Sequence, residues 1–225
     1  MTKRLKALTA VATAFVATAA LLPSTASAAT YTTREGVTTV LSTNQVSVQK
    51  LPPLDSSPMT AEALLSSDVH TALTGITGKK VSATLELGYQ IGYPVSLAPG
   101  GVNIKTKTPD LTLSGGVNAK FAPEGTVSGT GGGLTLGEVG TELGASSNII
   151  PSTELEFTVD AGKITTVTLA KIALTKPVAD IVLSGVELNV SNAVGPVSVR
   201  PFAKISVTTE TGVYVYYAHS RTSRI

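Results

Sequence analysis

The chain has 225 residues, with 17 Lys and Arg, 15 Asp and Glu, two His, no cysteine and a formal net charge of +2. Without cysteine, neither a disulfide framework nor a thiolate metal site is possible, and the near balance of charge gives no electrostatic case for a nucleic-acid partner. Beyond residue 28 nothing approaches the roughly 18 apolar residues of a spanning helix, which excludes a helical membrane protein but leaves open a β-barrel, whose strands need only about 9–11 alternating residues.

The first 28 residues read as a secretory signal peptide. Lys3, Arg4 and Lys6 form a basic start, Ala7 to Leu22 an apolar centre, and Ala26-Ser27-Ala28 a small-x-small cleavage site. A membrane anchor is the weaker reading, because the apolar run is alanine-rich and short. Removal takes three of the 17 basic residues and no acidic one, so residues 29–225 carry 14 minus 15, or −1.

From Tyr31 to Lys50 the Thr, Val and Ser content and the alternation at Val46 and Val48 predict one or two strands, broken by Leu51-Pro52-Pro53. Thr60 stands as an N-cap before Ala61-Glu62-Ala63-Leu64-Leu65, the one stretch that predicts a short helix. At Thr84 a strand begins with Leu85 and Leu87 alternating against Glu86 and Gly88. It turns at Gly92-Tyr93-Pro94 and leaves as a polar strand from Val102 to Ser114.

Gly100 to Ser114 and Thr153 to Asp160 predict the two arms of a long hairpin. On the returning arm Leu155, Phe157 and Val159 share one face, and Glu154, Glu156 and Asp160 the other, as in a strand with one face in oil and one in water. On the outgoing arm Val102 and Ile104 oppose Asn103, Lys105 and Lys107. The phase is lost at Thr108-Pro109, where a bulge or strand edge is expected. Pairing Lys105 with Glu156 also pairs Lys107 with Glu154, sets opposite charges across the ladder, and places the turn at Thr130-Gly131. The link 115–147 is Gly-rich, but it lacks the strand–GxxxxGK[ST]–helix context of a phosphate cradle. After Lys163, short alternating runs end at Lys176-Pro177, Asn192 to Pro196 and Thr211-Gly212, and predict an antiparallel sandwich.

Enzyme chemistry finds no converging constellation. His70 and His219 have no metal-ligand spacing, and Glu154 and Glu156 read as a solvated strand face. Tyr214, Tyr216 and Tyr217 are expected to pack on a sheet. No cofactor is implied.

Thr84 to Pro94, TLELGYQIGYP, resembles the signature of the MspA-family porins, as do Pro53-Leu54-Asp55 ahead of residue 61 and VSVRPFAKI from Val197 to Ile205. The resemblance implies an all-β chain: an antiparallel sandwich rim (29–99 and 161–225) with a membrane-spanning hairpin (100–160) contributing to an oligomeric transmembrane β-barrel. Its implied partners are other subunits of a homo-oligomeric ring, an octamer, or a paralogue, together with outer-membrane lipids and small hydrophilic solutes and ions. The implied place is a mycolic-acid-type outer membrane. Pore-lining positions become Asn103, Lys105, Lys107, Glu154, Glu156 and Asp160, and lipid-facing ones Val102, Ile104, Leu155, Phe157 and Val159. The family's acidic constriction aligns with Ser114 and Gly115, so it is missing here, and a wide channel of weak ion preference is expected. The competing class is a secreted soluble sandwich serving as a surface or adhesion module, which has no use for two long Gly-linked arms.

Overall fold

Period-two alternation runs through nearly every described segment, and a strand whose faces alternate between core and solvent is what it produces. The computed structural model describes residues 27–93, 95–96, 101–109, 111–112, 124–126, 149–150, 154–159 and 164–225. In chain order the strands are β1 (Ser27–Thr32), β2 (Thr38–Leu51), β3 (Ala61–Thr74), β4 (Ser82–Gly92), β5 (Val95–Ser96) and β6 (Val102–Lys107). Next come β7 (Leu111–Thr112), β8 (Glu124–Thr126), β9 (Ile149–Ile150), β10 (Glu154–Val159) and β11 (Ile164–Leu174). The last are β12 (Val178–Ser191), β13 (Ala193–Val194), β14 (Ser198–Thr208), β15 (Val213–His219) and β16 (Ser223–Arg224). All pairings are antiparallel. No helix of the described residues is long and apolar enough to cross a membrane.

Two sheets form the sandwich. Sheet A runs β1-β2-β3-β12-β6-β10, and sheet B runs β15-β14-β4-β11-β8 with β16 beside β14. The core between them takes Leu41, Leu65 and Val69 from sheet A, and Leu85, Leu87, Ile91 and Ile205 from sheet B. Tyr89 of β4 is 1% exposed and spans the gap, with its hydroxyl 3.5 Å from Ser67 Oγ. Burial pushes that phenol up to about 12. Along one side Tyr31 of β1 stacks on Tyr216 of β15 at 4.2 Å and donates to the Tyr217 carbonyl at 3.0 Å. Tyr216 thus packs as expected, whereas Tyr217 is 46% exposed.

The helix expected at Ala61–Leu65 is replaced by the start of β3. Ala63, Leu65, Ser67, Val69, Thr71 and Leu73 are all buried, and β3 pairs with β2 on one side and β12 on the other. Two ladders and a covered face outweigh the weak helical preference of Ala, Glu and Leu. Thr60 caps nothing there; its hydroxyl donates to Asp55 Oδ2 at 2.7 Å.

The signature strand β4 lies at the centre of sheet B and explains one of its glycines. The β4–β11 register slips between Thr168 and Ala170, and the bulge brings the Val167 carbonyl oxygen to 1.9 Å from where a Cβ on Gly88 would stand. Only glycine fits that approach.

A charged hairpin rising from sheet A

The hairpin begins inside the sandwich. β6 pairs with β10 through Lys107↔Glu154, Lys105↔Glu156 and Asn103↔Thr158, the register expected from charge pairing. The Lys105 ammonium lies 2.9 Å from Glu156 Oε2, and Asn103 Nδ2 donates to Glu156 Oε1 at 2.8 Å. The Asn103 and Lys105 hydrogen bonds hold the Glu156 carboxyl below its usual range, and Glu156 in turn holds Lys105 above its own. On its other edge β6 pairs with β12, so Lys107 stands between Glu154 and Glu187, and Lys105 between Glu156 and Asn189.

Beyond Pro109 the pairing resumes as Leu111↔Ile150 and Thr112↔Ile149, whose residue numbers sum to 261 just as Lys105 and Glu156 do. The two described pairings keep one register across Pro109, so no net register shift separates them, while Thr108 and Pro109 themselves lie outside the strands.

Two expectations are corrected. Val102 and Ile104 are 0% exposed, Leu155 7% and Val159 3%, all in the core, so these four positions meet protein rather than lipid. The alternation is the same whether the dry face meets lipid or a second sheet, and here sheet B supplies the cover. The hairpin base expected to lie in the membrane, 102–107 and 154–159, accordingly belongs to the sandwich. Within the Gly-rich link, Glu124–Thr126 pairs with Thr166–Thr168 at the edge of β11, an open edge that takes an available strand. The side chain of Phe157, along with Asp160, Ser114, Gly115 and the turn itself, lies outside the described residues.

Sequence reasoning missed the rest of this face. The solvent side of sheet A continues from β6 onto β12 and β3 with Glu187, Asn189, Asp180, Glu62, Asp68 and His70. Asn189 Nδ2 donates to Glu62 Oε1 at 2.9 Å, and His70 Nδ1 lies 2.6 Å from Asp180 Oδ1. The signal was Glu62, Ser66, Asp68 and His70 at even-numbered positions, hidden by reading residues 61–65 as a helix. Among the described residues no group of three or more His, Cys, Asp or Glu could hold a metal ion.

A two-sheet antiparallel sandwich with a charged β6–β10 ladder at the edge of its first sheet defines the class of protein. The MspA family model matches residues 35–222, and the chain belongs to that family. It is similar to the porins MspC and MspB of Mycolicibacterium smegmatis, 27% identical over 165 residues in each case, or 73% of this chain and 69% of each relative. Its likeness to the porin MspA of the same organism is 38% over 64 residues, 28% of this chain and 30% of that one.

Proposed function

We propose that the protein is an exported subunit of an oligomeric, water-filled outer-membrane porin that passes ions and small hydrophilic solutes passively. The observation that carries this reading is the hairpin. It leaves sheet A in a fixed register, holds that register past Pro109, and offers two strands among the described residues. A lone hairpin in a membrane leaves a row of unpaired backbone groups along each edge, which hydrocarbon does not tolerate. Hairpins from several copies placed side by side close the sheet, and the family's octamer would make sixteen strands around an aqueous lumen.

Because the hairpin base belongs to the sandwich, the crossing segment falls within 109–153, long enough for two strands of about 9–11 residues. Full insertion requires Glu124–Thr126 to leave β11, an edge contact of three register pairs. Lys105, Lys107, Glu154 and Glu156 then stand at the mouth of the stem rather than in the bilayer. Cleavage after Ala28 would shorten β1 by its first two residues, Ser27 and Ala28.

The test is to extract the protein in mild detergent, measure its mass, and reconstitute it in planar bilayers. A multimer with stepwise, ohmic conductance is expected. A monodisperse monomer without channel activity overturns the reading and favours the soluble surface module.

A further inference from the structure

One end of the sandwich gathers four connections: 33–37 between β1 and β2, 75–81 between β3 and β4, 175–177 between β11 and β12, and 209–212 between β14 and β15. Hydrogen bonds knit them together. Lys79 Nζ donates to the Glu35 carbonyl at 2.5 Å, Thr209 Oγ1 to Glu35 Oε1 at 3.0 Å, and the Leu73 amide to the Pro177 carbonyl at 2.6 Å. Arg34, Lys79, Lys80 and Lys176 are exposed on these loops, and no ion pair among the described residues takes up any of the four. The acidic groups there are Glu210 and Glu35, and Glu35 Oε1 already accepts from Thr209 and Tyr214. Beside the cations stand Val178, 49% exposed, and Val213, 65% exposed, the first residues of β12 and β15.

The hairpin heads for this same end. β6 runs antiparallel to β12 from Asn103↔Ser191 to Lys107↔Glu187, and so points towards Val178, where β12 begins. A hairpin that crosses a bilayer in that direction sets these loops down on the bilayer surface, a step that rests on the porin reading above. We infer that the four loops form a collar at the foot of the stem that binds anionic, phosphate-bearing lipid headgroups through Arg34, Lys79, Lys80 and Lys176. Long cationic side chains beside exposed valines suit that boundary, because their stems lie along the apolar layer while the charge reaches the headgroups. Each basic group held near an anionic surface strengthens binding about five-fold.

The refolded chain is floated with vesicles of phosphatidylcholine alone and of phosphatidylcholine mixed with phosphatidylglycerol. In 0.1 M KCl it should bind the mixed vesicles about ten-fold or more tightly, and the preference should fade in 1 M KCl, where the screening length falls from about 10 Å to about 3 Å. Lys79→Gln, Lys80→Gln and Lys176→Gln together should cut the preference to about two-fold or less. Lys50→Gln, Arg221→Gln and Arg224→Gln remove the same charge from the opposite end of the sandwich and should leave it intact. No preference in the native chain, or an equal loss in both triple variants, overturns the collar. So does displacement of the vesicles by inorganic phosphate at constant ionic strength, which would make the loops a site for a free anion. Planar bilayers of the same lipids separate the two readings. Conductance without lipid preference overturns the collar alone, preference without conductance overturns the pore alone, and the absence of both removes both.

Discussion

The two solvent faces of the sandwich are built by the same alternation and yet differ in chemistry. Sheet A shows six carboxylates and two lysines. On sheet B the charges are Lys171, Arg200, Lys204 and Arg224 against Glu86 and, by register, Glu124. Glu86 takes Lys204 at 2.8 Å and Lys171 at 3.9 Å, and Arg200 donates to Gln90 through two nitrogens, so sheet B fixes its cations in a lattice of side chains. It also exposes Val213, Val215 and Tyr217. A core demands only that one face be dry, so the other is free to carry function, and the two sheets have used that freedom in opposite senses.

The comparison breaks most sharply where sheet B admits no change. Gly88→Ala puts a methyl group 1.9 Å from the Val167 carbonyl oxygen, and backbone cannot move aside as a side-chain tip can. We expect a loss of more than about 4 kcal/mol, in the range of severe overpacking. Gly92→Ala on the same strand meets only Ile164 Cγ1 at 4.0 Å and should change stability by under about 1 kcal/mol. Urea midpoints of the refolded subunit decide this, and equal midpoints for the two variants would remove the close approach as the cause.

A second pair compares the cores of the two sheets. Leu85 and Ile104 are both 0% exposed, one in sheet B and one at the hairpin base of sheet A. Each truncated to alanine should cost about 2–5 kcal/mol. A full stability penalty for Ile104→Ala in the refolded subunit confirms that this residue packs against sheet B. If it leaves the midpoint unchanged while impairing membrane insertion, the lipid-facing assignment is restored.

What was legible in the sequence follows the same line. The strands β4, β12 and β14 were readable because Leu85, Leu87, Leu188, Val190, Ile205 and Val207 alternate cleanly with polar neighbours. The hairpin register was readable because opposite charges at Lys105 and Glu156 admit few pairings. Whether an apolar stripe meets lipid or a second sheet was not readable, since Val102, Ile104, Leu155 and Val159 satisfy both. Nor could the sequence order the strands. The run of carboxylates on the solvent side of sheet A arises only because β12, far along the chain, inserts between β3 and β6.

Removing Lys105 and Lys107 sharpens the contrast further, because sheet A then has no ammonium group on this face among the described residues. The double substitution Lys105→Ser with Lys107→Thr should move the zero-current potential in a KCl gradient towards the cation value. A channel indifferent to both lysines would show that the hairpin base does not face the conducting path.

The smallest expected effects are opposite pH dependences on the two sheets. Burial raises the Asp68 carboxyl on sheet A. Its folded form holds a proton more tightly than the unfolded chain does, so its contribution is full below the ordinary carboxylate range and is lost as pH rises through the raised value. On sheet B, burial and then the Arg200 charge lower His219, whose ring stacks on Tyr217 at 5.8 Å and whose Nδ1 is buried without a hydrogen-bond partner among the described residues. There the unfolded chain binds the proton more tightly. The contribution is present above the ordinary histidine value of about 6.5 and is lost as pH falls through the lowered one. Asp68→Asn should therefore gain midpoint relative to the native chain on going from pH 3 to pH 6. His219→Gln should lose less midpoint than the native chain on going from pH 7.5 to pH 5. Urea titrations at the four pH values measure both, and slopes of the same sign for the two variants would mean that at least one of these groups is solvated rather than held against its sheet.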